Sequence, residues 1–186
     1  MIEIKNVNFR YKGTDEGGLM LMTILLTICN IILLCLMILT ATVFMPYRGL
    51  AKNFPKDVQE TLKPRLDEID RQPKAPRIFG GILIIILFLM FVGVFIFGGV
   101  DGVHHDFTYS QYLLRFLIIA LGTKAFDILA LDYFLLTKTN FFPHFFPETK
   151  GCAGWQQFGY NRKQHLGQSV FMLICCFVLA FVFSRM

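Results

Sequence analysis

Long apolar stretches alternate with polar segments along the chain and predict membrane-spanning helices. A spanning helix needs about 20 consecutive, mostly apolar residues. Each stretch is continuous and lacks the period-two alternation of a transmembrane β-strand, so we expect an all-α bundle of four transmembrane helices. The predicted organisation is an N-terminal tail, residues 1–18, and a membrane domain, residues 19–186. The predicted spans cover about 19–45, 78–100, 112–136 and 166–184.

Composition supports an integral membrane protein and excludes other classes. Hydrophobic types make up 55% of the 186 residues and charged types only 17%, below the roughly 25% of a typical soluble domain. The five cysteines have no spacing typical of a zinc site or a disulfide framework. We therefore expect the lipid bilayer as the main partner, with a homo-oligomer or a second membrane protein as further candidates. No cofactor and no nucleic acid is predicted.

The distribution of basic residues predicts the orientation in a cell membrane. The connection 46–77 contains eight Lys or Arg, the connection 137–165 contains four, and the connection 101–111 contains none. By the positive-inside rule, the first and third connections are cytoplasmic and both termini lie outside.

The first connection contains a short amphipathic stretch. Val58, Leu62, Leu66 and Ile69 recur at helical spacing, and Pro64 predicts a break or kink. We interpret this stretch as a solvated helix that lies against the bundle, with a partner-binding helix as the alternative.

The N-terminal tail differs in character from the membrane domain. Ile2, Ile4, Val7 and Phe9 alternate with polar residues as in a β-strand. Residues 1–19 resemble the N-terminus of the ATPase of an energy-coupling-factor ABC transporter. The chain has no G-x-x-x-x-G-K-[ST] motif to hold phosphates. We therefore do not expect this chain to share the ATP hydrolysis of that family. We interpret the tail as an ATPase-like fragment and not as an independent domain.

The third predicted span carries charged residues, which cost about 2.5–3.5 kcal/mol each at bilayer depth. Arg115 lies near the outer end and can snorkel to the interface. Lys124 is central and can pair with Asp127, while Asp132 lies about 80° from Lys124 at 100° per residue. Asn30 of the first span is the predicted cross-helix partner. The alternatives are an ion pair for packing, a substrate or proton site, and an enzyme site.

This span and the loop after it resemble an uncharacterised family of small bacterial four-span membrane proteins. That family has F-D-x-L-x-x-D-[WY] on a helix, followed by P-x-T-x-G, and FDILALDY and PETKG match here. The matching residues are Asp127, Asp132, Tyr133, Pro147, Thr149, Gly151, Gly154 and Phe158. Glu148 stands where the family has Gly. The resemblance implies a membrane protein without an assigned activity, and a loop motif at Pro147, Thr149 and Gly151.

Two of the connections between the predicted spans contain further candidate functional residues. Asp101, His104, His105 and Asp106 are residue types that ligate metals, so they are either a metal or pH-sensing site or a solvated polar turn. Residues 140–146 contain four Phe, which we interpret as an anchor at the inner interface, with a re-entrant loop as the alternative.

The sequence as a whole predicts a small multi-pass membrane protein of unknown activity. We expect it to be transport-associated, with a polar intramembrane site formed by Lys124, Asp127, Asp132 and Asn30. A membrane scaffold or accessory subunit without catalysis is the alternative. An integral-membrane enzyme acting on a lipid-like substrate comes third, because no nucleophile or metal site supports it convincingly.

Overall fold

The computed structural model describes residues 16–44, 51–69 and 74–186, and all regular structure in these ranges is helical. A π-helix, Asp127–Leu136, directly continues the α-helix Tyr109–Phe126, and short 3-10 turns cover Pro147–Thr149 and Ala153–Gln156. The predicted all-α class is confirmed for this part of the chain, whereas the strand-like residues 2–9 lie outside it. The α-helices are α1 (Glu16–Phe44), α2 (Lys56–Ile69), α3 (Ala75–His104), α4 (Tyr109–Phe126), α5 (Phe141–Phe145) and α6 (Arg162–Phe183).

Within the described ranges, three helices are long and apolar enough to cross a membrane. They are Leu19–Phe44 within α1, the whole of α3 and the whole of α6, and they match the first, second and fourth predicted spans. Only 28%, 17% and 17% of their most apolar windows is buried inside the protein. Their large apolar side chains therefore face outward, as expected for helices in contact with lipid.

The third predicted span is divided between α4 and the π-helix. The hydroxyl-bearing Thr108 precedes α4 in extended conformation, and its backbone N–H donates to Oε1 of Gln111 at 2.8 Å. Thr108 and Gln111 form a capping box, which explains why α4 begins at Tyr109, three residues before the predicted start.

Close helix packing at one end of the bundle depends on glycines of α3. Gly98, Gly99 and Gly102 are buried. The ring of Phe183 lies where a Cβ on Gly99 would point, and the ring of Tyr112 occupies that space at Gly102. The small residues therefore let α4 and α6 approach α3 within one chain.

The helix α2 packs on the loop that follows the π-helix. Val58, Leu62 and Leu66 are buried there. We predicted a break or kink at Pro64, but the helix continues through this residue to Ile69, so a break is wrong. The other buried members of this cluster, which we call the aromatic cap, are Ala51, Phe54, Leu136, Phe142, Phe146 and Trp155.

Candidate functional site

The change from α-helix to π-helix occurs at Asp127, the first of the two acidic residues of the predicted site, so the π-helix contains both. A π-helix closes its hydrogen bonds over five residues instead of four. Asp127 and Asp132 are five residues apart, so this wider winding turns the two carboxylates closer to one face of the helix than α-helical winding would. In an α-helix they would lie about 140° apart around the axis. The local winding therefore directs both carboxylates to the same neighbouring helix.

Lys124 is the centre of a buried network between α4 and α6. Its Nζ donates to Oδ2 of Asp127 at 2.7 Å and to Oε1 of Gln168 at 2.8 Å, and it lies 2.6 Å from Nδ1 of His165. These contacts use all three donors of the ammonium group. The predicted pairing of Lys124 with Asp127 is present, and the Lys124 side chain is only 9% exposed.

The contact with Lys124 fixes the tautomer of His165. A lysine ammonium group can only donate, so Nδ1 of the imidazole must accept and its proton stays on Nε2. Nε2 faces Oδ2 of Asp132, and Nδ2 of Asn161 donates to the same oxygen at 3.3 Å. A continuous chain of charge-assisted contacts therefore joins the carboxylates of Asp127 and Asp132 through Lys124 and His165.

This network forms the polar side of a cavity of about 570 Å³. Both acidic residues and Lys124 line it. The rest of the lining is largely apolar and includes Leu34, Met37 and Ile38 of α1. The cavity is therefore amphipathic, with both charged and hydrocarbon surfaces.

The predicted partner Asn30 is not part of this network. It is fully buried in α1, yet its amide makes no hydrogen bond within the described residues, and it does not line the cavity. A hydroxyl that we did not predict, that of Thr123, does belong to the site. Thr123 lines the cavity, and within the part of the chain that the structure describes its Oγ1 has no hydrogen-bond partner.

The sequence interpretation also missed His165, Gln168 and Asn161. The helix α6 starts at Arg162, four residues before the predicted start of the last span. His165 and Gln168 stand at i, i+3 spacing in its first turns and thus share one face. Polar residues at this spacing in the first turns of an apolar helix are the signal that could have identified them.

Arg115 belongs to a second buried network near the other end of α4. We expected it to snorkel, but it is only 2% exposed. It donates to Oδ2 of Asp101 at 2.6 Å, to the carbonyl oxygen of Gly98 at 2.9 Å and to Oγ1 of Thr23 at 3.2 Å. Its guanidinium also lies over the ring of Phe107 at 4.4 Å. Internal partners replace water, so this network ties α1, α3 and α4 together.

The predicted metal ligands near the end of α3 have other contacts. Asp101 pairs with Arg115, and Nδ1 of His105 lies 2.7 Å from the carbonyl oxygen of Asp101. His104 is the last residue of α3, and Asp106 follows in the turn with a φ of 52°. Among the residues that the structure describes, no group of three or more His, Cys, Asp or Glu is placed to hold a metal ion.

The loop motif has a structural role in the aromatic cap. Thr149 is fully buried, and its hydroxyl donates to the carbonyl oxygen of Phe146 at 2.7 Å and accepts from Nε1 of Trp155 at 3.0 Å. Pro147 begins the 3-10 turn that ends at Thr149. Gly151 adopts a φ of 155°, which side chains rarely allow.

Two further residues of the resemblance connect this loop to α2. The N–H of Gly154 donates to Oδ2 of Asp57 at 2.7 Å, and a Cβ at Gly154 would collide with Asp57. Glu148, the departure from the family pattern, accepts from Nη1 of Arg65 at 3.0 and 2.9 Å. The loop and α2 are therefore joined by both packing and polar contacts.

Comparisons with protein-family models, with curated proteins and with solved structures found no match for this chain. The resemblance to a family of four-span proteins therefore stays a prediction that rests on the motif residues themselves.

Proposed function

We propose that the chain is a small multi-pass, transport-associated membrane protein whose intramembrane site binds a small organic cation with an apolar body. One observation supports this most strongly: the buried charged network of Lys124, Asp127, His165 and Asp132 faces an amphipathic cavity. An ion pair that serves packing alone needs no such space beside it.

The proposal includes a fourth span formed by α4 and its π-helical continuation. Arg115 and Lys124 lower the hydropathy of this segment, but both are buried with internal partners, which removes most of the cost of placing charge at bilayer depth. The basic connections 46–77 and 137–165 are then cytoplasmic, and both termini lie outside.

This topology is testable by cysteine labelling. In a variant without the native cysteines, Tyr109→Cys places an exposed thiol at the first residue of α4, next to the connection from α3. A membrane-impermeant maleimide should label it in intact cells. Labelling only after the inner face is made accessible would overturn the orientation.

The charge of the site indicates the ligand. The two carboxylates of Asp127 and Asp132 and the one ammonium of Lys124 together have a net charge of about −1. Both Asp127 and Asp132 make their contacts through Oδ2. The described residues leave Oδ1 of each as an acceptor, so a bound group has to donate hydrogen bonds, as an organic ammonium does.

Binding can be measured with three probes of equal chain length: octylammonium, octanol and octanoate. The single Trp155 stacks on Phe142 at a ring distance of 5.3 Å, and Phe142 lines the cavity. The fluorescence of Trp155 therefore reports whether a ligand occupies the cavity. We expect octylammonium to bind at least about tenfold more tightly than octanoate, which is about 1.4 kcal/mol. Equal affinities would overturn the cation site. Glu60→Gln, an exposed change on α2, is the control for removal of one acidic charge and should bind like the wild type.

Transport requires a separate measurement. Proteoliposomes that contain the full chain should take up radiolabelled butylguanidinium, an organic cation with N–H donors, faster than protein-free liposomes, and Asp132→Asn should abolish the difference. Binding of octylammonium without any uptake would favour the accessory-subunit alternative instead. The fully used donors of Lys124, which join α4 to α6, are the observation that supports this alternative.

A further inference from the structure

A second, basic cavity opens beside the first. It has a volume of about 950 Å³ and lies where α2 and α6 begin. We call it the basic groove. Its charged lining consists of Lys52, Lys56, Arg162 and Lys163, against one carboxylate, that of Asp57.

The four cations are available to a ligand. All four side chains are exposed, and within the described residues none of them forms an ion pair with a carboxylate. The carboxylate of Asp57 is already engaged, because its Oδ2 accepts from the N–H of Gly154 at 2.7 Å. With four cations against the single carboxylate of Asp57 in its described lining, the groove presents a net positive charge of about three.

The position of the groove along α6 matches the depth of a lipid headgroup. Arg162 begins α6 and Phe183 ends it, and at 1.5 Å per residue these two positions are about 32 Å apart. The hydrocarbon core of a bilayer is about 30 Å thick. Between Lys163 and Arg185 the helix carries no Lys, Arg, Asp or Glu. A membrane that covers this apolar length places Arg162 and Lys163 at the level of the phosphates.

The groove also adjoins the hydrophobic interior. Asn53, Phe54 and Tyr160 line both the basic groove and the first cavity. Tyr160 joins the two sides of the groove, since its hydroxyl donates to the carbonyl oxygen of Asn53 at 2.6 Å. A molecule with a charged head and an apolar body thus finds matching surfaces side by side.

We infer that the basic groove binds the phosphate group of an anionic phospholipid. Basic pockets at the end of membrane helices attract such headgroups, and each Lys or Arg contributes about a factor of five in affinity. The large, open groove suits a phosphodiester headgroup, and four cations exceed what one phosphate needs for neutralisation. This inference does not depend on the cation site, because none of the four basic residues lines the first cavity.

The test is native mass spectrometry of the full chain in detergent, titrated with dioleoyl phosphatidylglycerol or dioleoyl phosphatidylcholine. The wild type should retain phosphatidylglycerol preferentially. Lys56→Gln with Arg162→Gln removes two groove cations and should weaken phosphatidylglycerol binding about 30-fold. The matched control, Lys63→Gln with Lys150→Gln, removes two exposed cations outside the groove and should change it less than about twofold.

Four results would overturn the inference. Equal losses in the groove variant and the control would show that only the general surface potential attracts lipid. No loss in either, or equal retention of the two lipids by the wild type, would remove the site. Displacement of phosphatidylglycerol by inorganic phosphate at equal concentration would show a site for a soluble phosphate. If the first groove variant fails to fold, Lys52→Gln with Lys163→Gln removes the other two cations and applies the same criterion.

Discussion

Replacing Lys124 by methionine tests how far the buried network stabilises the bundle. Methionine keeps a long, unbranched side chain but removes the ammonium group. Nδ1 of His165, Oδ2 of Asp127 and Oε1 of Gln168, which lie 2.6, 2.7 and 2.8 Å from Nζ, then lose their donor. The two carboxylates of the site are left with no cation to offset them.

The size of the effect follows from the burial of these groups. Removing one partner of a buried ion pair costs about 3–5 kcal/mol. We use the lower end, about 3 kcal/mol, because Asp127 retains 21% exposure and is partly solvated. For a chain of this length each kcal/mol changes Tm by about 2–4 °C, so Lys124→Met should lower Tm by about 6–12 °C.

The assay is thermal unfolding of the purified protein in detergent, followed by Trp155 fluorescence. Lys63→Met is the matched control, since Lys63 is exposed on α2, and it should change Tm by less than about 2 °C. Adding Asp127→Asn to Lys124→Met removes both charges of the pair and should restore most of the lost stability. A Lys124→Met protein as stable as the Lys63→Met control would show that the Lys124 network does not stabilise the bundle.

Three further predictions concern packing, surface charge and pH. Gly99→Val should lower the free energy of unfolding by about 1–3 kcal/mol, measured as a lower Tm, because the valine side chain meets the Phe183 ring. Gly93→Val should not lower Tm, because the space around residue 93 is open. Arg65→Gln should lower the free energy of unfolding by less than about 1 kcal/mol in denaturant titrations, because its pair with Glu148 is partly exposed. Burial, and then the charge of Asp132, raise the pKa of Tyr160 above its usual value near 10. The folded state therefore holds this proton longer than the unfolded state does, and stability should fall as the pH rises above about 10. Tyr160→Phe should flatten that decline in Tm between pH 9 and 11.5, and an unchanged slope would contradict the assignment.

The helical architecture could be predicted because membrane burial imposes a strong, local pattern. Continuous apolar runs mark α1, α3 and α6 with end errors of a few residues. The apolar run that contains Arg115 and Lys124 is harder to interpret as a spanning helix. Whether it can lie in a membrane depends on the partners that other helices provide for its charges. Pro64 shows the same limit, since packing in the aromatic cap maintains a helix that local propensity alone would end.

The site could be predicted only in part, for reasons of geometry. The charges of Lys124, Asp127 and Asp132 are visible in the sequence, and their cost in a bilayer singles them out. The side chains of Asp127 and Asp132 point in a common direction because this segment is a π-helix. A sequence analysis that assumes the 100° per residue of an α-helix does not predict this direction. His165 comes from a distant part of the chain, 41 residues after Lys124, so only the folded chain places it between Lys124 and Asp132.

In the proposed function, the two cavity-facing carboxylates of Asp127 and Asp132 form a cation site. Replacing both, as Asp127→Asn with Asp132→Asn, changes the net charge of the site from about −1 to about +1, because Lys124 remains. The direct measurement is the ratio of octylammonium to octanoate affinity from Trp155 fluorescence, in the wild type and in the folded double variant. We expect the wild type to prefer octylammonium and the variant to prefer octanoate. The same selectivity in both proteins would contradict this proposal.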